Sequence, residues 1–492
     1  MPRILVLADL GQHNYHVGDE AMGIATAAEL TRRGFEVFIA TRDTSHSERY
    51  IGGAAGYIRT LSFPWSPAER ELYLEQVRAH LAGVPADPEI TRFVAEVSVM
   101  DGIVIAGGGN MNSTYGWLLY ERAAYALVAR SRRIPLLVSG QSLGPVLTHT
   151  DAKTLEELLG SAQLIGMREP QSYNWVLENG FSAHHIVDDA TFYQPLKRSL
   201  PGRPTLQLPE NYICATFTDL IPHQARMVGQ LLDDMHRDYG LQTVFLPHMG
   251  NPDEADGDAA LHAQIAEHMF SSPILLPIVH ADDAVQVHRG AFINLSSRYH
   301  PGVFSLSAGV PFVALLPNAF TDMRVRGMMS HYGAENYAIP LVLLNTEAPA
   351  GALHEVIRLR NELSETLLRR AEELRAFSAN WWDVATHLLT RGTLDSAPSL
   401  ATLTDTPTSF TGDWNVTNLL VRDDIAELSL AAAQGAAESN RSRSWDYQHT
   451  VQRDQAQARV AELEREKAEL NNPLSKPQQD TSLRSWWQRM LG

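Results

Sequence analysis

The stretch AFINLSSRYHPGVFSLSAGVPFVALL at residues 291–316 determines the fold class that the sequence predicts. Its apolar ends predict two buried strands, and the small residues 303–308 between them predict a short helix. In an open α/β sheet, ligands bind where a strand ends and the next helix begins. Arg298 and His300 lie in the connecting turn, where the free N–H groups of a helix also favour anions. The turn is therefore a candidate anion site, and an ordinary turn whose Arg and His face solvent is the alternative.

The first 200 residues repeat this pattern of an apolar run followed by glycine or a charged residue. Because the carboxyl ends of parallel strands open on one edge of a sheet, we expect the residues at these junctions to lie together. The junctions are residues 4–8 with Gly18 and Asp19, residues 103–106 with Gly108, Gly109 and Asn110, residues 136–139 with Gln141, and residues 164–167 with Arg168. The sequence lacks a G-x-G-x-x-G fingerprint and a P-loop ending, so NAD and FAD are not indicated.

A second series of strands and helices follows a proline-rich crossover. Residues 212–217 predict a strand, residues 224–239 a helix with one apolar face, and residues 243–246 a strand that leads to His248. We therefore predict an α/β protein with two Rossmann-like doubly wound domains that face each other across a cleft, the GT-B-like arrangement, plus a helical C-terminal extension.

The domain boundaries are predicted from composition. Residues 1–200 form the N-terminal Rossmann-like domain, and residues 208–390 form the C-terminal one with a closing helix. Residues 391–412 are rich in Ser, Thr and Pro, which is typical of a linker. Residues 413–492 are predicted to be a helical, partly disordered extension. For the two tryptophans beside arginines near its end, a flexible or weakly docked tail is favoured, and peripheral contact with a membrane or a protein partner is the alternative.

The composition of the chain excludes several classes of partner and site. The chain of 492 residues has a net charge of −17, which argues against nucleic acid as a partner. Its single cysteine, Cys214, excludes a disulfide framework. No metal-ligand spacing and no long apolar run are present. We expect a cytoplasmic protein without a bound metal, with a peripheral location at a membrane as the alternative.

Several short motifs, taken in order, resemble those of the polysaccharide pyruvyl transferase family. The resemblance covers roughly residues 1–390. The family's usual asparagine before Gly-Asp-Glu is His16 here, and residues 317–322 (PNAFTD) contain no lysine where the family commonly has one. The motifs are Gly18-Asp19-Glu20-Ala21, the glycines 107–109, Gly140-Gln141-Ser142-Leu143-Gly144-Pro145, Arg168-Glu169, Asp188-Asp189-Ala190, Ser297-Arg298-Tyr299-His300 and Gly309-Val310-Pro311.

The resemblance implies transfer of the pyruvyl group of phosphoenolpyruvate onto two hydroxyls of a sugar, which forms a cyclic ketal and releases phosphate. Phosphoenolpyruvate serves as donor substrate without a cofactor, and the acceptor is a glycan or glycolipid. Arg168 and Arg298 suit the donor's carboxylate and phosphate because guanidinium groups bind such anions bidentately. His300 is the candidate general acid.

A carboxylate is then expected to take the proton of the attacking sugar hydroxyl. Asp19 is the first candidate for this base and Asp189 the second, and helix capping is the alternative role for Asp19. For His248 a structural role is the alternative to substrate binding. The remaining predicted substrate-binding residues are Gly18, Gly108, Gly109, Asn110, Gln141 and Ser297.

Two other functions remain open at this point. The first is a GT-B glycosyltransferase that uses a nucleotide sugar, which would need partners for a ribose and a base in the second domain. The second is a catalytically inactive relative that acts as a scaffold, for which the departures near Gly18 and after Leu316 and the long tail are the evidence.

Overall fold

A parallel sheet forms the centre of the N-terminal half. Its strands are buried on both faces: in the first strand Ile4 and Val6 pack into one core cluster, while Leu5 and Leu7 pack into the other. Such continuous apolar runs are typical of a sheet covered by helices on both sides. The strands of this half are Arg3–Leu10 (β1), Tyr15–His16 (β2), Glu36–Thr41 (β3), Gly56–Arg59 (β4), Gly102–Ile105 (β5), Gly108–Met111 (β6), Leu136–Leu143 (β7), Leu164–Met167 (β8) and His184–His185 (β9).

The helices of this half connect the parallel strands. They are Val17–Arg32 (α1), Thr44–Tyr50 (α2), Pro67–Leu81 (α3), Pro88–Val97 (α4), Gly116–Arg132 (α5), His149–Leu159 (α6) and Pro170–Glu178 (α7). The sheet has the order β4-β3-β1-β5-β7-β8-β9, and β6 pairs with β7. This order reverses direction between β1 and β5, which is where a doubly wound sheet opens a ligand crevice.

The second half repeats this plan with the order β13-β11-β10-β14-β15-β16, again with parallel pairs. Its strands are Tyr212–Thr216 (β10), Gln242–Phe245 (β11), Met249–Gly250 (β12), Ile274–Leu275 (β13), Ile293–Ser296 (β14), Phe312–Leu316 (β15) and Ala338–Pro340 (β16). Its helices are Pro222–Tyr239 (α8), Gly257–Ala266 (α9), Ala281–Gly290 (α10), Tyr299–Leu306 (α11), Ala319–Ser330 (α12), Ala348–Arg358 (α13), Arg360–Arg391 (α14) and Val416–Asn471 (α15). The predicted pair of doubly wound sheets is confirmed.

The helix after β14 begins earlier than predicted. It starts at Tyr299, with Arg298 as its N-cap, rather than at residue 303. Pro301 and Gly302 were expected to precede it, but both lie in its first turn, where a proline is tolerated because the N–H there has no partner within the helix. His300 is therefore fixed by a helix and does not lie in an extended turn.

The helix α14 joins the two halves. The indole of Trp381 is buried and donates a hydrogen bond of 3.1 Å to Ser139 Oγ on β7. Near it, Arg33 after α1 pairs with Asp383 at 2.5 Å. The closing helix predicted for the second half thus also packs on the first.

This computed structural model describes residues 1–51, 54–196, 206–251, 256–403, 406 and 412–471. Met1–Glu438 form one compact unit and Ser439–Gly492 a second. The tryptophans of the tail, and much of the predicted crossover and linker, lie outside the described residues, so the domain boundaries and tail contacts stay predictions. None of the described helices has the length and hydropathy needed to span a membrane.

Candidate functional site

A cavity of about 530 Å³ lies at the carboxyl edges of the two sheets. It is lined by residues after β1, β6 and β8 of the first half and after β10, β11, β14 and β15 of the second. Because both sheets change direction beside β1 and β10, the cavity occupies the switch points of both halves. Ligand binding at this position is the rule for doubly wound sheets.

A short antiparallel pair joins the two rims of the cavity. His16 of β2 is paired with Met249 of β12, and the amide of Val17 donates to the carbonyl of His248 at 3.0 Å. The start of α1, which carries Asp19, is therefore held against the second half. Burial, and then the charge of Arg298, lower the pKa of His16 to about 4, so its imidazole is neutral at pH 7.

His300 packs directly on the backbone of α1. A Cβ atom at Gly18 would lie 1.9 Å from Nδ1 of His300, so only glycine fits there. The other ring nitrogen, Nε2, is buried and has no hydrogen-bond partner among the described residues. An unsatisfied polar atom of this kind in a cavity wall is a candidate ligand contact. Burial, together with the charges of Arg168 and Arg324, holds the pKa of His300 well below its usual range.

Asp19 lines the same cavity and has the opposite shift. Burial and the nearby Asp9 carboxylate raise the pKa of Asp19 to about 7. At neutral pH this carboxyl is partly protonated, whereas the imidazole of His300 is neutral. A carboxyl with a raised pKa beside an imidazole with a lowered pKa is an arrangement typical of acid–base catalysis.

The cavity also contains three guanidinium groups. Arg168 pairs with Asp188, and its Nε donates to Ser142 Oγ at 2.8 Å. Arg298 binds Asp258 through two nitrogens, at 2.6 and 2.5 Å. Both are thus held in place by a carboxylate, which orients the fork but also neutralises part of its charge.

Arg324 on α12 is the residue that the sequence analysis missed. Its Nε donates to the carbonyl of Phe320 at 3.1 Å and its guanidinium lies 3.6 Å from the centroid of that ring, but it makes no ion pair within the described part of the chain. Burial and the charge of Arg168 lower the pKa of Arg324 to about 10, which still leaves it charged. The only sequence signal was its position in the helix after β15, downstream of residues 317–322.

The structure brings most of the predicted site residues to the cavity. His248 lies in its wall, although its Nε2 also contacts Nε2 of His288 at 2.7 Å, and burial lowers the pKa of His248 well below its usual range. The predicted residues that line the cavity are Gly18, Asp19, Gly109, Arg168, His248, Ser297, Arg298 and His300.

The other predicted residues do not line this cavity; the structure shows what each of them contacts instead, and their roles in substrate binding or catalysis stay predictions. Asp189 accepts hydrogen bonds from Ser139 Oγ at 2.7 Å and from the amide of Gly107 at 2.8 Å, so it fastens β7 to the loop after β5. Burial raises the pKa of Asp189 to about 6. Thr26 of α1 adds a further bond of 3.2 Å to this carboxylate.

Gln141, Gly108 and Asn110 also contact neighbouring protein groups. The side-chain nitrogen Nε2 of Gln141 donates to the carbonyl of Ala106 at 2.5 Å. A Cβ atom at Gly108 would lie 2.7 Å from this nitrogen. Asn110 is buried and donates to Asp9 at 3.5 Å. The glycine run therefore makes room for Gln141 at Gly108 and faces the cavity only at Gly109.

Comparison with solved structures supports the fold. A structure from Listeria monocytogenes assigned as a UDP-N-acetylglucosamine 2-epimerase has 12% identity and a TM-score of 0.52, with 83% of this chain and 99% of that one covered. The S. aureus MnaA–UDP structure has 10% identity and a TM-score of 0.50, with 81% and 99% covered. The calicheamicin glycosyltransferase CalG4 has 15% identity and a TM-score of 0.40, with 76% and 94% covered. At these identities the likeness to the first two structures concerns the fold alone, and nothing is concluded from the third.

Sequence comparison identifies the family. A search against curated proteins finds no significant match. The family model described as Polysaccharide pyruvyl transferase matches residues 16–318, more than half of the chain. The matched region contains the antiparallel pair of His16 with Met249, and also Arg168, Arg298 and His300. The resemblance noted from the motifs is thereby confirmed, and the chain belongs to the polysaccharide pyruvyl transferase family.

Proposed function

We propose that this protein transfers the pyruvyl group of phosphoenolpyruvate to two hydroxyls of a sugar in a polysaccharide or glycolipid, forms a cyclic ketal and releases phosphate, with no further cofactor. The observation that carries the proposal is the charge of the cavity. Arg324 has no carboxylate partner in the described part of the chain and lies beside Arg168, so two cations share one buried wall. An anionic ligand relieves that repulsion.

The spacing of these groups suits a small ligand with two anionic ends. A Cβ built on Gly109 would lie 2.6 Å from Nη1 of Arg324 and 3.1 Å from Nη2 of Arg168, so both forks converge on one point of the backbone. Arg298 and the first amides of α11 lie on the other half of the cavity wall. Phosphoenolpyruvate has a phosphate for one group of donors and a carboxylate for the other.

The chemistry requires one proton donor and one proton acceptor. A proton added to the methylene carbon makes the neighbouring carbon electrophilic, and a sugar hydroxyl attacks that carbon and loses its proton. The bond between this carbon and the phosphate oxygen then breaks, and the second hydroxyl attacks the same carbon. Of the two hydroxyl protons, one restores the acid and the other leaves with the phosphate, so atoms and charge balance.

We assign the proton donor to Asp19 and the acceptor to His300. This reverses the order expected from the sequence, in which His300 was the acid and Asp19 the base. A carboxyl with a pKa of about 7 carries the proton needed for carbon protonation, whereas an imidazole whose pKa is well below its usual range is available as a base. The anionic donor raises the pKa of both groups, which keeps Asp19 protonated when substrate is bound.

A direct assay tests the proposal. Purified protein is mixed with phosphoenolpyruvate and a panel of methyl glycosides that carry neighbouring free hydroxyls, and phosphate release and product mass are followed. We expect release that depends on the glycoside and a product that has gained one ketal-linked pyruvyl group. Consumption of a UDP-sugar without release of phosphate from phosphoenolpyruvate would support the glycosyltransferase alternative and overturn the proposal.

A further inference from the structure

One segment of the cavity wall comes from outside the part of the chain that matches the family. Residues 416–438 of α15, here called the strap, follow the matched region by about a hundred residues and belong to the same compact unit as both sheets. The strap has contacts with each half, so it lies across the cavity mouth.

The strap is fastened to the second half by buried polar groups. Asn418 is fully buried and donates to the carbonyls of Asn336 at 3.3 Å and Ala338 at 3.4 Å. About three helical turns further on, Ser429 accepts a hydrogen bond of 3.1 Å from the amide of Ala319. That amide is the first of α12 and would otherwise have no partner in the helix. The strap thus caps the helix that carries Arg324.

The strap is fastened to the first half as well. The side-chain amide of Gln434 accepts from the amide of Leu147 at 3.0 Å and donates to its carbonyl at 2.6 Å. One turn later, Glu438 accepts from the amide of His149 at 3.1 Å. A side chain that satisfies both backbone groups of one residue fixes the loop after β7 in a single register.

Ser429 and Ala433, one helical turn apart, form part of the cavity wall. Near them lie two aromatic rings, Tyr115 and Phe320, whose centroids are 5.7 Å apart. Thr114, Asn318 and Thr321 line the same region. This region offers aromatic rings with hydroxyl and amide groups, and it borders the cationic end of the cavity, because the guanidinium of Arg324 stacks on Phe320 at 3.6 Å.

Rings beside hydroxyl and amide groups suit a sugar, which has apolar C–H faces and polar edges. We propose that the strap forms the outer wall of a sugar-binding subsite and so selects the acceptor. This rests on the proposed function, since it takes the cationic end as the donor site. The acceptor sugar then lies between the rings and the strap, with its hydroxyls directed at the donor.

A thiol-labelling experiment tests the strap. Cys214 is the only cysteine, is buried, and has a pKa raised by burial, so a cysteine introduced on the surface is the one that reacts. Ala433→Cys places a thiol in the cavity wall, and Ala431→Cys places one on an exposed position of the same helix that does not line the cavity. Both variants are labelled with fluorescein maleimide.

Labelled Ala433→Cys should bind phosphoenolpyruvate as the unlabelled protein does, by calorimetry, while phosphate release with the best glycoside of the panel falls by more than about tenfold. That glycoside should also slow the labelling of Ala433→Cys and not of Ala431→Cys. Labelled Ala431→Cys should keep both activities.

The outcomes separate the two proposals. If labelled Ala433→Cys releases phosphate as fast as labelled Ala431→Cys, or loses donor affinity instead, the acceptor role of the strap is wrong while the proposed function stands. If the unlabelled protein neither binds phosphoenolpyruvate nor releases phosphate with any glycoside, the proposed function itself is wrong.

Discussion

The two halves of the molecule share one strand order but contribute different chemistry to the cavity between them. The first half supplies a carboxyl with a raised pKa, Asp19, and one guanidinium that is neutralised by Asp188. The second supplies His300 and two guanidinium groups: Arg298 is paired with Asp258, whereas Arg324 makes no ion pair with any residue that the structure describes. The strand order thus determines where a side chain lies. The hydrogen bonds and ion pairs of that side chain determine whether it can still bind a ligand.

The same contrast holds for the two carboxyls of the first half. Burial raises the pKa of both, yet Asp19 faces the cavity while Asp189 accepts hydrogen bonds from Ser139 and the amide of Gly107. A raised pKa alone therefore does not mark a catalytic group. The location of the carboxyl and the number of donors around it make the difference.

The largest expected effect comes from removing the carboxyl of Asp19. Asp19→Asn should lower kcat by about 10²- to 10⁴-fold, because general acid catalysis contributes that much, while the affinity for phosphoenolpyruvate changes little. Steady-state kinetics and calorimetry measure the two quantities separately.

The matched control is Asp189→Asn. Its side chain loses part of a hydrogen-bond network, so the melting temperature should fall while kcat is retained. The comparison would fail if Asp189→Asn lowered kcat as much as Asp19→Asn without loss of stability.

The next effect concerns the unpaired cation. Arg324→Gln should weaken phosphoenolpyruvate binding by about 10- to 100-fold, which corresponds to about 1.4 to 2.7 kcal/mol for a charged hydrogen bond. Calorimetry measures the dissociation constant. Arg326→Gln on the same helix is the control, since Arg326 is already paired with Asp322 at 2.5 Å and with the exposed Asp423 at 2.9 Å. Equal affinities for the two variants would remove Arg324 from the donor site.

The pH dependence tests the order of acid and base. If Asp19 is the acid, kcat/KM should fall as the pH rises above about 7, because the pKa of Asp19 in the free protein is about 7 and only the protonated form is active. If His300 were the acid, the fall would begin at lower pH, because the pKa of His300 lies well below its usual range. A profile of kcat/KM between acidic and alkaline pH distinguishes these two cases.

The carboxyl of Asp19 should also make the stability of the fold depend on pH. A paired carboxylate with a lowered pKa stabilises a fold as the pH rises, whereas Asp19 should destabilise it. The folded-state pKa of Asp19 is raised, so the folded protein binds the proton more tightly than the unfolded chain and loses stability as the pH rises from about 4 to 7. Asp19→Asn removes that penalty. Its melting temperature at pH 8 should therefore exceed that of the original protein, as followed by circular dichroism, and an equal or lower value would contradict the assigned pKa.

The smallest expected effect is at the contact between the halves. Gly18→Ala places a methyl group where His300 Nδ1 lies, and the imidazole must rotate or α1 must shift. We expect a loss in kcat of about tenfold from misplacement of the base, with the fold retained. Kinetics that match the original protein would show that the His300 ring does not need this position.

The sequence was sufficient to predict the two sheets and part of the cavity wall. Apolar runs followed by Gly18, Arg168 and Arg298 mark strand ends, and strand ends of parallel sheets share an edge. The family match over residues 16–318 agrees with the motifs that suggested it.

What the sequence could not give is the direction of individual side chains. Asp189 was a candidate base because it follows Asp188 in a family motif, but its carboxylate points to β7 and the loop at Gly107. Arg324 was not predicted because it lies within a helix, where only the packing of α12 decides which residue faces the cavity. Likewise, the helical tract after residue 416 was predicted, but its crossing of the cavity depends on the long-range bonds of Gln434.

A crystal structure of the complex with phosphoenolpyruvate tests the central claim most directly. The account predicts that the ligand lies between the guanidinium groups of Arg168, Arg298 and Arg324, with its methylene carbon within reach of Asp19 and with Nε2 of His300 free to face an acceptor. Phosphoenolpyruvate bound elsewhere, or a UDP-sugar bound in the second half while this cavity stays without donor, would contradict it.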